Sequence, residues 1–326
     1  MDEQAAELQE KIRQQFDFGP YPRVPIDRSP KDEIDTLYFH NIVTPYYLRN
    51  QKVINYENTL ILDAGCGAGY KTLVLATANP GAKIIGIDLS EQSLELARKR
   101  FQYHGIKNAE FHQLSIYDLP SLGLTFDYIN CDELLYLFPE PAVALMAMKS
   151  VLKPQGIIRS NLHSSLQRIN HFRAQELFRM MGLMDGNPED MEIDITIETM
   201  NALKDGVDLK VRTWSPQYEG EDKKELVLMN YLFQGDKGYT ISDLFTALRA
   251  AQLEFISMVN WRQWNLMKLF KDPDNLPVFL AMSLPEISVE QRLRLFELLH
   301  PIHRLLDFWC GHPNQASDWI PVSEWQ

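Results

Sequence analysis

Residues 60–69 read LILDAGCGAG. Three apolar residues and an acid are followed by three glycines set among small residues. An apolar run of this length bounded by glycine reads as a buried strand, and the glycines give the chain a turn where a ligand can press against the main chain. Strand, glycine loop and a following helix, 69–78, form the opening of a doubly wound α/β sheet. Downstream, short β-branched runs alternate with helical stretches: KIIGIDLS (83–90), a helix over 90–104, AEFHQLSI (109–116), FDYINCD (126–132), a helix over 139–152 and GIIRSNLHS (156–164). That alternation predicts a parallel sheet covered by helices on both faces.

The loop departs from the dinucleotide fingerprint. Gly65 and Gly67 occupy the first two glycine positions, but the third falls on Tyr70, where close helix–strand packing asks for Gly or Ala. A second acid, Asp88, ends the next strand 25 residues after Asp63. An acid there accepts hydrogen bonds from ribose hydroxyls. The pattern therefore asks for a ligand with a ribose and no pyrophosphate. S-adenosylmethionine meets that description, its adenosine on Asp88 and its aminocarboxylate tail on the Gly65–Gly69 amides near a helix N-terminus. A nicotinamide-dependent oxidoreductase is the less favoured reading. A catalytically silent binding or scaffold protein of the same fold is the alternative from a different class.

The segments LILDAGCGAG, IIGIDLS, FDYINCDELLYLFPEP and VLKPQGII resemble the successive motifs of class I S-adenosylmethionine-dependent methyltransferases over residues 59–162. GYTISDLFTALRAAQLEFISMV (238–259) and RLFELLHPIHRLLDFWC (294–310) are more loosely similar to the C-terminal parts of a bacterial, cyanobacterial-type group of such enzymes, mostly of unassigned substrate. The resemblance implies a Rossmann-like sheet and methyl transfer to a small molecule or a protein side chain. It places Asp63, Gly65, Cys66 and Gly67 at the methionine end, Asp88 on the ribose, Leu89 against adenine, and Cys131 and Asp132 beside the sulfonium. In the third motif, FHQLSIYDL, the usual acid is replaced by Ser115, so Ser115 and Ile116 are the expected adenine contacts and the nearest acid is Asp118.

In-line transfer of an activated methyl needs alignment first and a base only when the acceptor carries a proton. His163, after the fifth strand, is the candidate base because imidazole titrates near neutrality; Tyr136 is the second catalytic candidate. Asp132 and Glu133 offer carboxylates to an acceptor, and Glu133 equally suits a helix cap. Tyr21 and Arg23, in the proline-rich strap FDFGPYPRVPIDRSP (16–30), and Phe172, in a helix over 165–185, are candidate acceptor contacts.

The expected organisation is a helical cap and strap over 1–58, a cofactor-binding core over 59–162, a lid insertion over 163–235, and a C-terminal part over 236–326. The last part completes the sheet, with LLDFWC (305–310) returning as its final antiparallel strand. Residues 29–50 open with a capping signal and carry Ile34, Leu37, Tyr38 and Ile42 at helical spacing, and KVRTW (210–214) and ELVLMNYLF (225–233) read as short strands or extended segments. The chain has 326 residues, 45% of them hydrophobic, and a formal net charge of −12, which disfavours nucleic acid and anionic membranes as partners. Its three cysteines lack disulfide or metal spacing, the charged N-terminus is no signal peptide, and no apolar run spans a bilayer. A cytoplasmic location and no bound metal follow as expectations; His300 and His303 flank Pro301, which interrupts a helical ligand pair.

Overall fold

The computed structural model describes residues 3–18, 24–51, 53–55, 57–220 and 222–315. Its centre is an eight-stranded sheet: β1 (Leu60–Ala64), β2 (Lys83–Asp88), β3 (Ala109–Gln113), β4 (Phe126–Cys131), β5 (Leu152–Ser164), β6 (Gly238–Tyr239), β7 (Glu254–Met258) and β8 (Leu305–Gly311). The order is β3-β2-β1-β4-β5-β8-β7, with the two-residue β6 paired to β5. β1 to β5 run parallel, and β8 lies antiparallel between β5 and β7. The helices Tyr70–Ala78, Glu91–Tyr103 and Pro141–Ser150 make the crossovers. Ile61, Leu62, Ile84, Ile85 and Ile129 are fully buried, as strands covered on both faces require.

The chain order reverses at β1, between its neighbours β2 and β4, and ligands in open α/β sheets bind outside the strand C-termini at such a reversal. Register sets Asp63 of β1 beside Asn130 of β4, and Asn130 beside Arg159 of β5. A row of polar side chains therefore stands on the buried floor of the C-terminal edge.

Between β5 and β6 the helices Ile169–Met180, Asp190–Ala202, Asp208–Thr213 and Lys223–Tyr231 enclose a separate apolar core around Phe178, Met200, Tyr218, Val227 and Tyr231. KVRTW and ELVLMNYLF are thus helical rather than extended. In the second, Val227, Leu228 and Tyr231 all bury, a spacing that one helix face satisfies; a short apolar run does not distinguish the two by itself. The stretch 29–50 is also not one helix. A short 3-10 turn, Pro30–Asp32, precedes Ile34–His40 and Val43–Asn50, and Asn41 breaks them apart with an extended ψ of 122° while its Oδ1 accepts from Val43 N. After β7 the chain is helical only in part: Val278–Ser283 and Val289–Leu299 precede β8.

The N-terminal helix, Glu3–Phe18, packs across the top of the sheet. Gln15 donates to Leu232 O at 3.2 Å and accepts from Gln234 N at 3.1 Å, which fixes the helix to the end of the insertion. Buried Arg100 donates to Ala68 O (3.0 Å), Pro25 O (2.7 Å) and Val24 O (2.7 Å). One guanidinium thus ties Val24 and Pro25 of the strap to the glycine loop. Among the described residues no helix is long and apolar enough to cross a membrane.

Candidate functional site

β1 ends in a turn that only glycine tolerates well. Gly65 has φ +79°, and a Cβ built there would lie 2.4 Å from Leu134 Cδ2. Its amide and that of Cys66 both donate to Ile87 O, at 2.8 and 2.9 Å, binding the loop to the end of β2. Gly69 (φ +78°) starts the next helix so close to the following one that a Cβ would meet Ala97 Cα at 2.8 Å. Gly69, one residue before the fingerprint's third position, instead makes a close helix–helix approach. Tyr70 is buried and lines the cleft beside the loop, its hydroxyl bonding Glu33 and its ring lying near the guanidinium groups of Arg28 and Arg100.

Beside the loop opens a cleft of about 330 Å³, lined by Asp63, Gly65, Cys66, Gly67, Asp88, Leu89, Ser115, Ile116 and Asp132. Leu134 and Phe138 form one wall; Ile12, Arg13 and Phe16 of the N-terminal helix close the top. Asp88 accepts from Gly67 N through Oδ2 and from Ser90 N through Oδ1, each at 2.9 Å, leaving further lone pairs on both oxygens for hydroxyl donors. Burial raises its pKa. Asp63 accepts from Thr72 Oγ1 (2.6 Å) and Asn130 Nδ2 (2.8 Å), and burial lifts its pKa to about 6. Asp132 is held well below the usual carboxylate range against its own burial by Arg159 and Lys71, with Lys71 Nζ 3.4 Å away. Four carboxylates, Asp63, Asp88, Asp132 and Glu133, face two cations, Arg13 and Lys71. An acidic cleft with a glycine turn and a strand-end acid fits a ligand that carries a ribose, an ammonium and a sulfonium.

Three expectations meet different surroundings. Cys131 is fully buried, its backbone oxygen accepting from Ser160 Oγ, and it does not line the cleft. Ser115 lines it, yet its hydroxyl also accepts from Tyr117 N at 3.3 Å as the cap of the turn Ile116–Leu122. Asp118 is exposed and outside the lining.

A second cavity, of about 730 Å³, adjoins the first and shares Val24 and Glu133 with it. Tyr136, His163, Arg168, Tyr218, Phe233 and Arg304 are among its walls. His163 Nδ1 is 2.6 Å from Asp236 Oδ1, and Nε2 is 3.0 Å from a guanidinium nitrogen of Arg304. Arginine only donates, so Nε2 is the acceptor and the proton sits on Nδ1, facing Asp236. Burial lowers the His163 pKa, opposed by Asp236 and helped by Arg168. The Tyr136 ring stacks on the imidazole at 3.7 Å and 17°, and its hydroxyl donates to Glu133 Oε2 at 3.3 Å. Asp236 is fully buried and also accepts from Arg168 and Gln175, both at 2.8 Å.

Phe172 does not line this cavity; it packs beneath the Arg168 guanidinium and against Gly238. Tyr21 and Arg23 lie outside the described residues. Glu133 has a left-handed backbone (φ 57°) and pairs with Arg304, while Leu134 takes the cap position of the turn that follows. His303 stacks on Trp264 at 4.4 Å, and among the described residues no three His, Cys, Asp or Glu side chains are grouped to hold a metal.

Asp236, Arg304 and the N-terminal residues Ile12, Arg13 and Phe16 carried no sequence signal. Asp236 lies 73 residues from His163 in a plain QGDKG loop. The helix bearing Ile12 and Phe16 reads as an ordinary amphipathic surface helix.

Replacing Asp88 by alanine is expected to weaken cofactor binding by about 1–3 kcal/mol, the range for hydrogen bonds to a charged group. Titration calorimetry of the folded variant measures it; unchanged affinity would remove the ribose assignment.

Comparison with known proteins places these cavities in a family. The methyltransferase-domain family matches residues 55–227. An uncharacterised protein of Synechococcus is 28% identical over 307 residues, 93% of this chain and 72% of its own length. The ubiquinone biosynthesis O-methyltransferase of Actinobacillus pleuropneumoniae is 34% identical over 134 residues, 40% of this chain and 56% of that enzyme. The structure of PKMT2 from Rickettsia typhi superposes with a TM-score of 0.66 at 19% identity, over 86% of this chain and 54% of that one; its complex with S-adenosylhomocysteine gives 0.64. The chain thus spans little more than half the length of the Rickettsia protein.

Proposed function

Because this chain belongs to the methyltransferase-domain family, with the class I fold and S-adenosylmethionine as its methyl donor, we propose that it methylates a hydroxyl oxygen of a small molecule held in the cavity under the insertion. The observation that carries this reading is the Asp236–His163 pair, whose unprotonated nitrogen, Nε2, belongs to a side chain lining the second cavity and not the donor cleft. An amine acceptor needs no base in the transferring step. A hydroxyl does, and a neutral imidazole oriented by a buried carboxylate is suited to that task. The 34% identity to an O-methyltransferase of ubiquinone biosynthesis supports an oxygen acceptor.

Asp63 and Asp132 would hold the amino end of the donor, Asp88 the ribose, and Leu89, Ser115 and Ile116 the adenine. The Gly65, Cys66 and Gly67 amides are engaged by Ile87 O and Asp88 Oδ2 and do not hold the carboxylate end as the sequence suggested; Arg13 and Lys71, the cations of the lining, would face it. When bound there, the donor supplies a methyl on a cationic sulfur, whose C–S bond breaks with its electron pair going to sulfur. His163 Nε2 takes the acceptor's proton. Asp236 holds the tautomer and balances the imidazolium that results. Tyr136 keeps the ring in plane by stacking, and Phe233 and Tyr218 give the acceptor an apolar, aromatic bed. Alignment between the two cavities supplies the remainder of the rate.

The test is transfer of labelled methyl from S-adenosylmethionine to a panel of phenols, aliphatic alcohols, carboxylic acids, amines and proteins. Methylation confined to hydroxyl acceptors is expected. Transfer to amines or protein side chains alone would overturn the oxygen assignment. No transfer to any of them, with the donor still raising the melting temperature, would favour a silent binding protein.

A further inference from the structure

Arg304 lines the second cavity and pairs with Glu133, a residue common to both cavities. Its guanidinium pairs with Glu133 through both terminal nitrogens, and one of these also donates to His163 Nε2 at 3.0 Å. The two partners differ in exposure. His163 is 2% exposed and locked by Asp236 and Tyr136, whereas the Arg304 side chain is 43% exposed on the loop leading into β8. An imidazole nitrogen has one lone pair in the ring plane. Arg304 and an acceptor hydroxyl therefore cannot both occupy it.

We infer that Arg304 is a displaceable plug on the base and determines which acceptors are used: only a molecule with a hydrogen to donate replaces it at His163 Nε2, while Glu133 retains the guanidinium at the rim. This rests on the proposed oxygen methylation. The selection follows from hydrogen-bond accounting. An acceptor with a hydroxyl exchanges one donor to Nε2 for another, so the buried nitrogen stays satisfied. The methylated product is an ether and has no proton to offer. Once the imidazolium has released the acceptor's proton to solvent, Nε2 regains its lone pair, Arg304 returns to it, and its return favours product release. Glu133 suits the retaining role because its backbone N–H donates to Asn161 Oδ1 at 2.9 Å, fixing the left-handed turn that aims its carboxylate across the boundary.

The charged and titratable groups facing His163 are Asp236, Arg168, Arg304, Glu133, His171 and the Tyr136 hydroxyl. Removing Arg304 takes away one cation and releases the Glu133 carboxylate 3.9 Å from Nε2. Both changes favour the imidazolium, so the His163 titration must move upward.

The experiment compares the full chain with its Arg304→Met variant, each saturated with S-adenosylhomocysteine, using NMR of labelled histidine with His163→Ala as the assignment control. Two probes are titrated, 4-nitrophenol and its methyl ether, 4-nitroanisole. The expected results are a proton on Nδ1 in the parent and a His163 midpoint raised by about one pH unit in the variant. In addition, 4-nitrophenol should bind the variant several-fold more tightly, with 4-nitroanisole little changed. An unmoved midpoint, a proton on Nε2 in the parent, weaker 4-nitrophenol binding in the variant, or no binding of 4-nitrophenol to either protein would each overturn the plug. Failure of the oxygen assignment reads out separately, as methylation that is indifferent to His163→Ala while the Arg304→Met shifts persist.

Discussion

Replacing His163 by alanine is expected to lower the single-turnover rate of methyl transfer to a hydroxyl acceptor by about 10²–10⁴, the usual span for general acid–base work. Donor affinity should hold, because His163 lines the second cavity and not the donor cleft. The pH dependence gives a sharper signature. Only the neutral imidazole accepts a proton, and burial keeps the His163 pKa below its ordinary value near 6.5. The rate of the parent should therefore rise with pH through a limb lying below about 6.5. In the alanine variant that limb should vanish. His163→Gln provides a second measurement should loss of the ring against Tyr136 destabilise the fold. A rate and pH profile unaltered in both variants would leave alignment as the whole of catalysis.

Gly65→Val is expected to abolish donor binding while leaving the sheet folded. At φ +79° a β-branched residue is strained, and its Cβ alone would fall 2.4 Å from Leu134 Cδ2, a side chain of the donor cleft. Either Leu134 is displaced within the cleft or the strained turn shifts, taking with it the Cys66 amide that binds Ile87 O and the Gly67 amide that binds Asp88. The parent at about 100 times the dissociation constant should gain roughly 2.7 kcal/mol of stability from S-adenosylmethionine, read as a rise in melting temperature, and the variant none. Gly105→Val is the control: its φ is +66° with open space around it, so it carries the backbone strain without touching the cleft. A ligand-induced shift preserved in Gly65→Val would place the donor elsewhere.

The lining of the proposed donor cleft was legible in the sequence because its residues are local. Asp63, Gly65, Cys66 and Gly67 are consecutive or nearly so, and Asp88 ends the very next strand, so one βαβ unit brings them together. Parallel strands covered on both faces must be apolar throughout, which made β1, β2 and β4 readable. The strand reading of ELVLMNYLF failed for the converse reason: a run of nine residues, apolar on most positions, carries no period that separates strand from helix. Its packing against Phe178 and Met200 decided the matter.

By itself the sequence determined the doubly wound sheet, the glycine turn and its acid, and the returning antiparallel strand, since each is written in a contiguous pattern of backbone freedom and burial. The assembly around His163 was decided by tertiary structure alone. Asp236 and Arg304 reach the imidazole from 73 and 141 positions away along the chain, and Glu133 approaches from the adjoining strand end. A lone Asp in a loop and a lone Arg before a strand look like any solvated charges. They become partners of the proposed base only because β5, β6 and β8 are neighbours in the sheet, which brings opposite charges within hydrogen-bond reach of one ring.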